Sequence, residues 1–89
     1  MRAIQSMILR EIAGEHLLIP VGEAAMRIRG MITLSESGLL LWNALQNDCT
    51  EDQLVDAILA EYDVDRPTAE ADVAAFLTQM RTAGILEAE

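Results

Sequence analysis

Lysine is missing from this chain: its six positive side chains are all arginines, set against fifteen carboxylates and a formal net charge of −9. A surface so negative is repelled by phosphate backbones and by anionic lipid, which disfavours nucleic acid and membranes as partners. Solubility is a plain further reason for the acidity. Aromatic side chains are almost missing too, since Trp42, Tyr62 and Phe76 stand alone. A core must therefore be filled by Ala, Leu, Ile, Val and Met, which suits helices packed on one small sheet. No stretch of about eighteen apolar residues exists, so no transmembrane helix is expected. The first residues lack the basic region and apolar run of a signal peptide. A cytoplasmic location is the expectation. Cys49, the single cysteine, has no disulfide partner and no second thiol with which to hold a metal.

What remains is a chain of 89 residues, 52% of them hydrophobic. That suffices for one domain spanning 1–89 and is too short for two. From Met7 to Val21 the pattern has period two. Met7, Leu9 and Glu11 alternate with Ile8, Arg10 and Ile12, a turn falls at Ala13-Gly14-Glu15, and Leu17, Ile19 and Val21 form the apolar face of a return strand. Pro20 lacks an N–H and belongs at a strand end or edge. Gly22 to Gly30 reads as an irregular connection, with two alternatives: a strand sharing one face between Met26, Ile28, Ile32 and Leu34, or a helical turn over Glu23–Arg29. A third strand follows at Met31–Leu34.

Helical signals take over after that strand. Ser35 is placed to cap a helix carrying Gly38, Leu41, Trp42 and Leu45, and Thr50–Gln53 spells a capping box. Leu54, Val55, Ile58, Leu59 and Tyr62 then form an apolar stripe. "DVDRP" interrupts, because Pro67 disfavours helix before it and fits a first helical turn. Val73, Phe76, Leu77 and Met80 share a face of the next helix, Gly84 stops it, and Ile85 and Leu86 fold back onto the core. The predicted class is α+β, a small winged helix-turn-helix-like domain with three N-terminal β-strands followed by three α-helices.

Catalytic chemistry finds little support. His16 is the only histidine and lies in an apolar strand, without Cys or His at ligand spacing. Ser35, Ser37 and Thr50 are accounted for as helix-start residues with no base nearby in sequence. "DVDRPT" resembles the opening of a calcium loop, but Thr68 stands where such a loop needs glycine and Ala74 where it needs glutamate. The carboxylates Glu61 and Asp63 read as solvated helix ends. No enzyme and no cofactor are expected. The winged-helix order invites a test for DNA reading, which needs Arg, Lys, Asn or Gln facing base edges and phosphates. The helix body Pro67–Met80 offers Glu70, Asp72 and Gln79 and no cation, with Arg66 and Arg81 only flanking it.

A three-stranded sheet leaves an edge of unpaired N–H and C=O groups, which an extended peptide can occupy as an extra strand. Main-chain hydrogen bonds then give affinity, and pockets for every second side chain give specificity. The third strand and the last helix could bound such a groove. Met31 and Ile32 would lie in its floor and Phe76 in its far wall, although Phe76 and Leu77 are individually better read as core.

"LREIAGEHLLIPVG", "GMITLSESGLLLWNAL", "TEDQLVDAILAEYDVD" and "AEADVAAFLTQMRTAGIL" together resemble the PqqD-like family over about residues 7–86. This is the family of pyrroloquinoline quinone biosynthesis protein D and related recognition elements for ribosomally made, post-translationally modified peptides. "LSESGLLLW", "EYDVD" and "DVAAFLTQMRTAGIL" are the most specific parts. One departure is Ser35, where the family frequently has Asn; both cap helices. The resemblance implies a non-catalytic domain that binds the leader segment of a precursor peptide beside the third strand and against the last helix. It would then present the peptide to a modifying enzyme, often a radical S-adenosylmethionine protein. Carried over by position, the peptide-binding residues would be Met31, Ile32, Thr33 and Leu34 with Asp72, Ala75, Phe76 and Gln79. Two alternatives stay open: a winged-helix DNA-binding transcription regulator, and a structural protein-interaction module. A homodimer formed through the free edge, or by exchange of the hairpin, is also open to such a chain.

If carboxylates such as Asp72 line the groove, basic leader residues near them strengthen and speed binding. The expected outcome is an affinity that falls as salt rises from about 0.01 to 1 M, over which the screening length shrinks from about 30 to 3 Å. Fluorescence anisotropy of a labelled leader peptide across that range checks it, and an affinity indifferent to salt would count against acidic groove walls.

Overall fold

A computed structural model describes residues 1–87 of the chain, which run as β1 (Met7–Ile12), β2 (Glu15–Pro20), α1 (Glu23–Arg27), β3 (Ile32–Leu34), α2 (Glu36–Ala44), α3 (Glu51–Glu61) and α4 (Arg66–Ala83). β1 and β2 are joined through Ala13 and Gly14, whose φ angles of 53° and 82° are both positive. Positive φ at both central residues gives the turn twist that matches the twist of its flanking strands. The register pairs Met7 with Pro20 and Ile12 with Glu15, which puts the proline at the end of β2. β3 lies antiparallel on the other side of β2, pairing Leu34 with His16 and Ile32 with Leu18, so the sheet order is β1-β2-β3.

The sheet buries the face that carries Met7, Leu9, Leu18, Ile32 and Leu34. Leu18 is 0% exposed at the centre of that face, between Leu9 and Ile32. This corrects the expectation that Leu17, Ile19 and Val21 form the apolar side of β2. The run Leu17-Leu18-Ile19 is apolar on both faces, so alternation along it cannot choose between them. Leu17 is also buried, on the opposite face, opposite Arg10 and Thr33.

A second correction concerns the helices. The segment Gly22–Gly30, expected as an irregular connection, contains the five-residue helix α1. There are therefore four helices among the described residues, the first lying between β2 and β3 rather than after the third strand. Its cause is local burial: Ala24 and Ile28 stand four residues apart, one helical turn, and both enter the core. The expected turn was already within reach of the pattern, but five residues carry too little periodicity to distinguish it from a loop. Gly30, with φ of 80°, then turns the chain so that β3 begins at Ile32 rather than Met31.

The remaining helices start and stop where their end residues dictate. The Gly38 N–H donates to Ser35 Oγ at 3.1 Å. Thr50 and Gln53 make the reciprocal capping box, at 2.8 and 3.1 Å. Asp65 caps α4 by accepting from the Thr68 N–H at 2.9 Å, with Pro67 in the first turn. Each such cap contributes about 1 kcal/mol by satisfying a donor that the helix cannot. Gly84 closes α4 in the left-handed conformation, and Ile85 returns an N–H to the Met80 carbonyl at 2.9 Å while burying completely. Leu54, Val55 and Ile58 of α3 meet Val73, Phe76, Leu77 and Met80 of α4 in the same core. The N-terminal residues strap this assembly: Ala3 donates to the Leu45 carbonyl at 2.9 Å, Ile4 to that of Ile85 at 2.8 Å, and Ala3 bridges to Leu86.

Two outcomes follow for stability. Leu18→Ala removes about 2–5 kcal/mol, whereas Ile12→Ala, at a position 53% exposed, stays within about 0.5 kcal/mol; thermal melts of the two variants check the difference. Hydrogen bonding from Thr68 holds the Asp65 carboxyl below its ordinary value. A carboxyl lowered in the folded state stabilises above its unfolded pKa and loses that contribution as pH falls through the folded one. Asp65→Asn, which keeps the cap without a titratable group, should therefore flatten the acid limb of the melting-temperature profile, and an unchanged limb would assign no role to this cap.

Candidate functional site

The outer edge of β3 carries no partner strand among the described residues, because β3 pairs with β2 on one side only. The N-terminal segment could have sheathed that edge, but its backbone hydrogen bonds go to Leu45, Ile85 and Arg2–Glu87 contacts instead. Leu34 is 6% exposed and anchors the strand in the core, Ile32 is half-buried, and Met31 and Thr33 are exposed. Side-chain alternation thus holds one face of β3 inward while its rim of backbone stays accessible.

Beside this strand lies a cleft of ≈ 270 Å³ between the start of α2 and the middle of α4. α4 contributes Asp72, Ala75, Phe76 and Gln79, and α2 with its cap contributes Ser35, Ser37, Gly38 and Leu41. The α4 spacing of three, one and three residues puts its four on one helix face, displaced from the Val73–Leu77–Met80 stripe that packs on α3. Phe76 belongs to both faces: at 8% exposed it is mainly core, yet one edge of its ring reaches the cleft. The four α4 residues expected at the site are thus brought together in one concavity. Met31, Ile32, Thr33 and Leu34 do not line it; Leu34 reaches Gly38 on its floor, and the other three lie further back along the chain.

Sequence reasoning missed Ser37, Gly38 and Leu41 as lining residues. The available signal was Gly38, a glycine in the first turn of a helix where its backbone freedom is only a cost. A Cβ there would lie 3.3 Å from Ser35 Oγ, 3.5 Å from Leu34 Cδ2 and 3.6 Å from Phe76 Cε1. The missing side chain therefore leaves the floor of the cleft open at the joint of β3, α2 and α4.

Charge is distributed unevenly around the cleft. Asp72 has no ion pair among the described residues. Arg66, at the start of α4, is engaged by Asp56 at 3.3 Å and Asp52 at 3.8 Å on α3, so it is drawn away from any approaching phosphate. Among the described residues no group of His, Cys, Asp or Glu could hold a metal ion. Asp65 of the calcium-like stretch is occupied as a helix cap. Burial pushes the Cys49 thiol up, away from the nucleophilic thiolate. No described helix is long and apolar enough to cross a membrane. The arrangement offers backbone donors and acceptors, an apolar-floored cleft and a carboxylate on its rim, which are the means to hold an extended chain.

Comparison with known proteins agrees in scale with this geometry. The profile of the family described as coenzyme PQQ synthesis protein D (PqqD) matches residues 8–86. No curated protein matches the chain. Among solved structures, it is similar to TbiB1 in complex with the TbiA(beta) leader peptide, with a TM-score of 0.78 and 29% identity over 100% of this chain and 98% of that one. It also shares the fold of a lasso peptide synthetase B1 complexed with its leader peptide, with a TM-score of 0.72 and 20% identity over 94% and 93% of the two chains. Matched over nearly its whole length, the chain belongs to the PqqD family.

Proposed function

We propose that this protein is a non-catalytic adaptor that binds the leader segment of a ribosomally made precursor peptide by adding it as a strand to the free edge of β3. The observation that carries this reading is the open β3 rim running beside an unfilled cleft on α4. Backbone pairing to Ile32–Leu34 would supply affinity, and the cleft would receive a leader side chain among Phe76, Ala75 and Leu41. Asp72, Gln79 and Ser37 would form its polar rim. Support comes from TbiB1, whose solved structure holds a leader peptide and whose chain is covered almost end to end. The unit is read as one recognition module spanning 1–89, with the α3–α4 pair and the β1–β2 hairpin in a winged-helix-like arrangement. It works in the cytoplasm, needs no cofactor, and hands its peptide to a modifying enzyme, of which a radical S-adenosylmethionine protein is one kind. Dimerisation through the same edge would compete with the leader, so the working form is the monomer. The DNA-binding alternative gains nothing from α4, whose exposed groove face carries Asp72 and whose Arg66 is already paired.

Titration of isotopically labelled protein with leader peptides encoded beside its gene should move the amides of Met31–Leu34 and of the Asp72–Gln79 face. Peptides N-methylated at alternate backbone amides give the sharper readout. One alternate set points at β3 and loses binding, while the set shifted by one residue keeps it, since strand residues alternate in their hydrogen bonding. Equal loss from both sets would remove strand addition from the account.

Gly38→Ala separates binding from stability. The new methyl improves helix propensity by about 0.5–1 kcal/mol, against a tight contact with Ser35 Oγ at 3.3 Å. Melting should change little, while leader affinity falls about tenfold, roughly 1.4 kcal/mol. Calorimetric titration checks this, and undiminished affinity would mean that the cleft floor is not used.

A further inference from the structure

The β3 edge has a carboxylate near one end, on the rim of the α4 cleft, and cations near the other. Leu34 and Phe76 converge on Gly38, so the C-terminal end of β3 lies beside the middle of α4, where Asp72 sits on the cleft rim. Arg27, which precedes β3, has its Nη1 3.6 Å from the place where a Cβ on Gly84 would stand, at the C-terminal end of α4. β3 and α4 therefore run in opposite senses, and Arg27, with Arg29 two residues nearer the strand, marks the far end. Neither arginine has an ion pair among the described residues, and both are exposed. A cation at a helix C-terminus is favourable by itself, which accounts for where Arg27 lies. It still leaves the outer guanidinium donors unused.

From Asp72 to Gly84 the helix rises about 18 Å at 1.5 Å per residue, a span that an extended strand covers in about five to six residues. An antiparallel added strand continues the pairing sense of the sheet, which is also slightly the more stable one per residue. Such a strand would start beside Leu34 and finish beside Arg29, five residues back along the chain. A chain of net charge −9 repels an anionic peptide side chain over most of its surface, and this arginine pair attracts one at the end of β3; of the other arginines without an ion pair among the described residues, Arg10 lies on β1 and Arg81 beside Met1.

We infer that the groove reads charge order as well as shape. It takes a peptide strand with a basic side chain entering first, near Asp72, and an acidic one about five to six residues later, near Arg27 and Arg29. This rests on strand addition at β3, and it adds a direction and a register to it. Peptides with the reverse order meet like charges at both ends and are rejected.

The test is a selection of short random peptides displayed on phage against the full chain, followed by synthesis of the enriched binders. Support is a set of binders, sensitive to N-methylation of alternate amides, that carry Lys or Arg about five to six residues before Asp or Glu. Further support is a preference inverted by about tenfold or more in the triple variant D72R/R27E/R29E, whose folding circular dichroism checks. Exchanging the two charges within one peptide on the unaltered protein gives the same readout without any protein variant. Binders that depend on alternate amides but show no charge order, or tolerate its reversal, overturn the charge-order inference and leave strand addition standing. Binders indifferent to N-methylation overturn both.

Discussion

A three-residue strand paired on one side only, among the described residues, is the constraint around which this protein is built. Backbone N–H and C=O groups that lie against apolar surface must find partners, and β3 satisfies half of its own through β2. Leu34 pins the strand to the core, so the rim cannot turn inward to satisfy the rest. Keeping β3 short limits the hazard of an open edge, since few groups are offered to an unintended partner. The same brevity makes the neighbouring cleft necessary. Under the proposed strand addition, three residues of backbone pairing are sequence-blind and weak, so selectivity would come from the α4 side.

α4 carries two duties on adjacent faces. Val73, Leu77 and Met80 tie it to α3, and Asp72, Ala75 and Gln79 line the cleft, with Phe76 between them. A helix so committed on one side is a rigid wall for the other. Gly38 leaves the space, because a methyl there would touch Leu34 and Phe76 at ordinary contact distance, press on Ser35 Oγ at 3.3 Å and fill part of the cleft floor. Stability is spent here on an opening rather than on packing, a local departure of the kind that marks functional positions.

Electrostatics separate this protein from the nucleic-acid readers whose element order it resembles. Its acidic surplus is heaviest on α3 and the turn after it, α4 itself being balanced, and the arginine that opens α4 is held by α3 carboxylates. Among the described residues the arginines without an ion pair are scattered, Arg10 on β1, Arg27 and Arg29 before the third strand and Arg81 near the end of α4, so no helix presents a row of them to a groove of DNA. The distribution fits a short extended ligand whose charges can be matched singly.

The sequence by itself determined the hairpin, the helix caps at Ser35 and Thr50, the place of Pro67 at the start of α4, the stop at Gly84 and the buried stripes of α3 and α4. Each of these depends on residues within one or two turns of one another, so local pattern suffices. The α4 residues of the cleft came from the resemblance rather than from the pattern, and helical spacing explains why those four share a face. The tertiary structure decided the face of β2 that is buried, since Leu17, Leu18 and Ile19 are all apolar and only packing could choose Leu18. It decided that Gly22–Gly30 contains α1, because Ala24 and Ile28 become helical through the core they meet. It decided, finally, that the cleft closes against Ser37, Gly38 and Leu41, and that Arg27 stands at the end of α4. Those are meetings of segments distant along the chain, which no periodicity within either segment encodes.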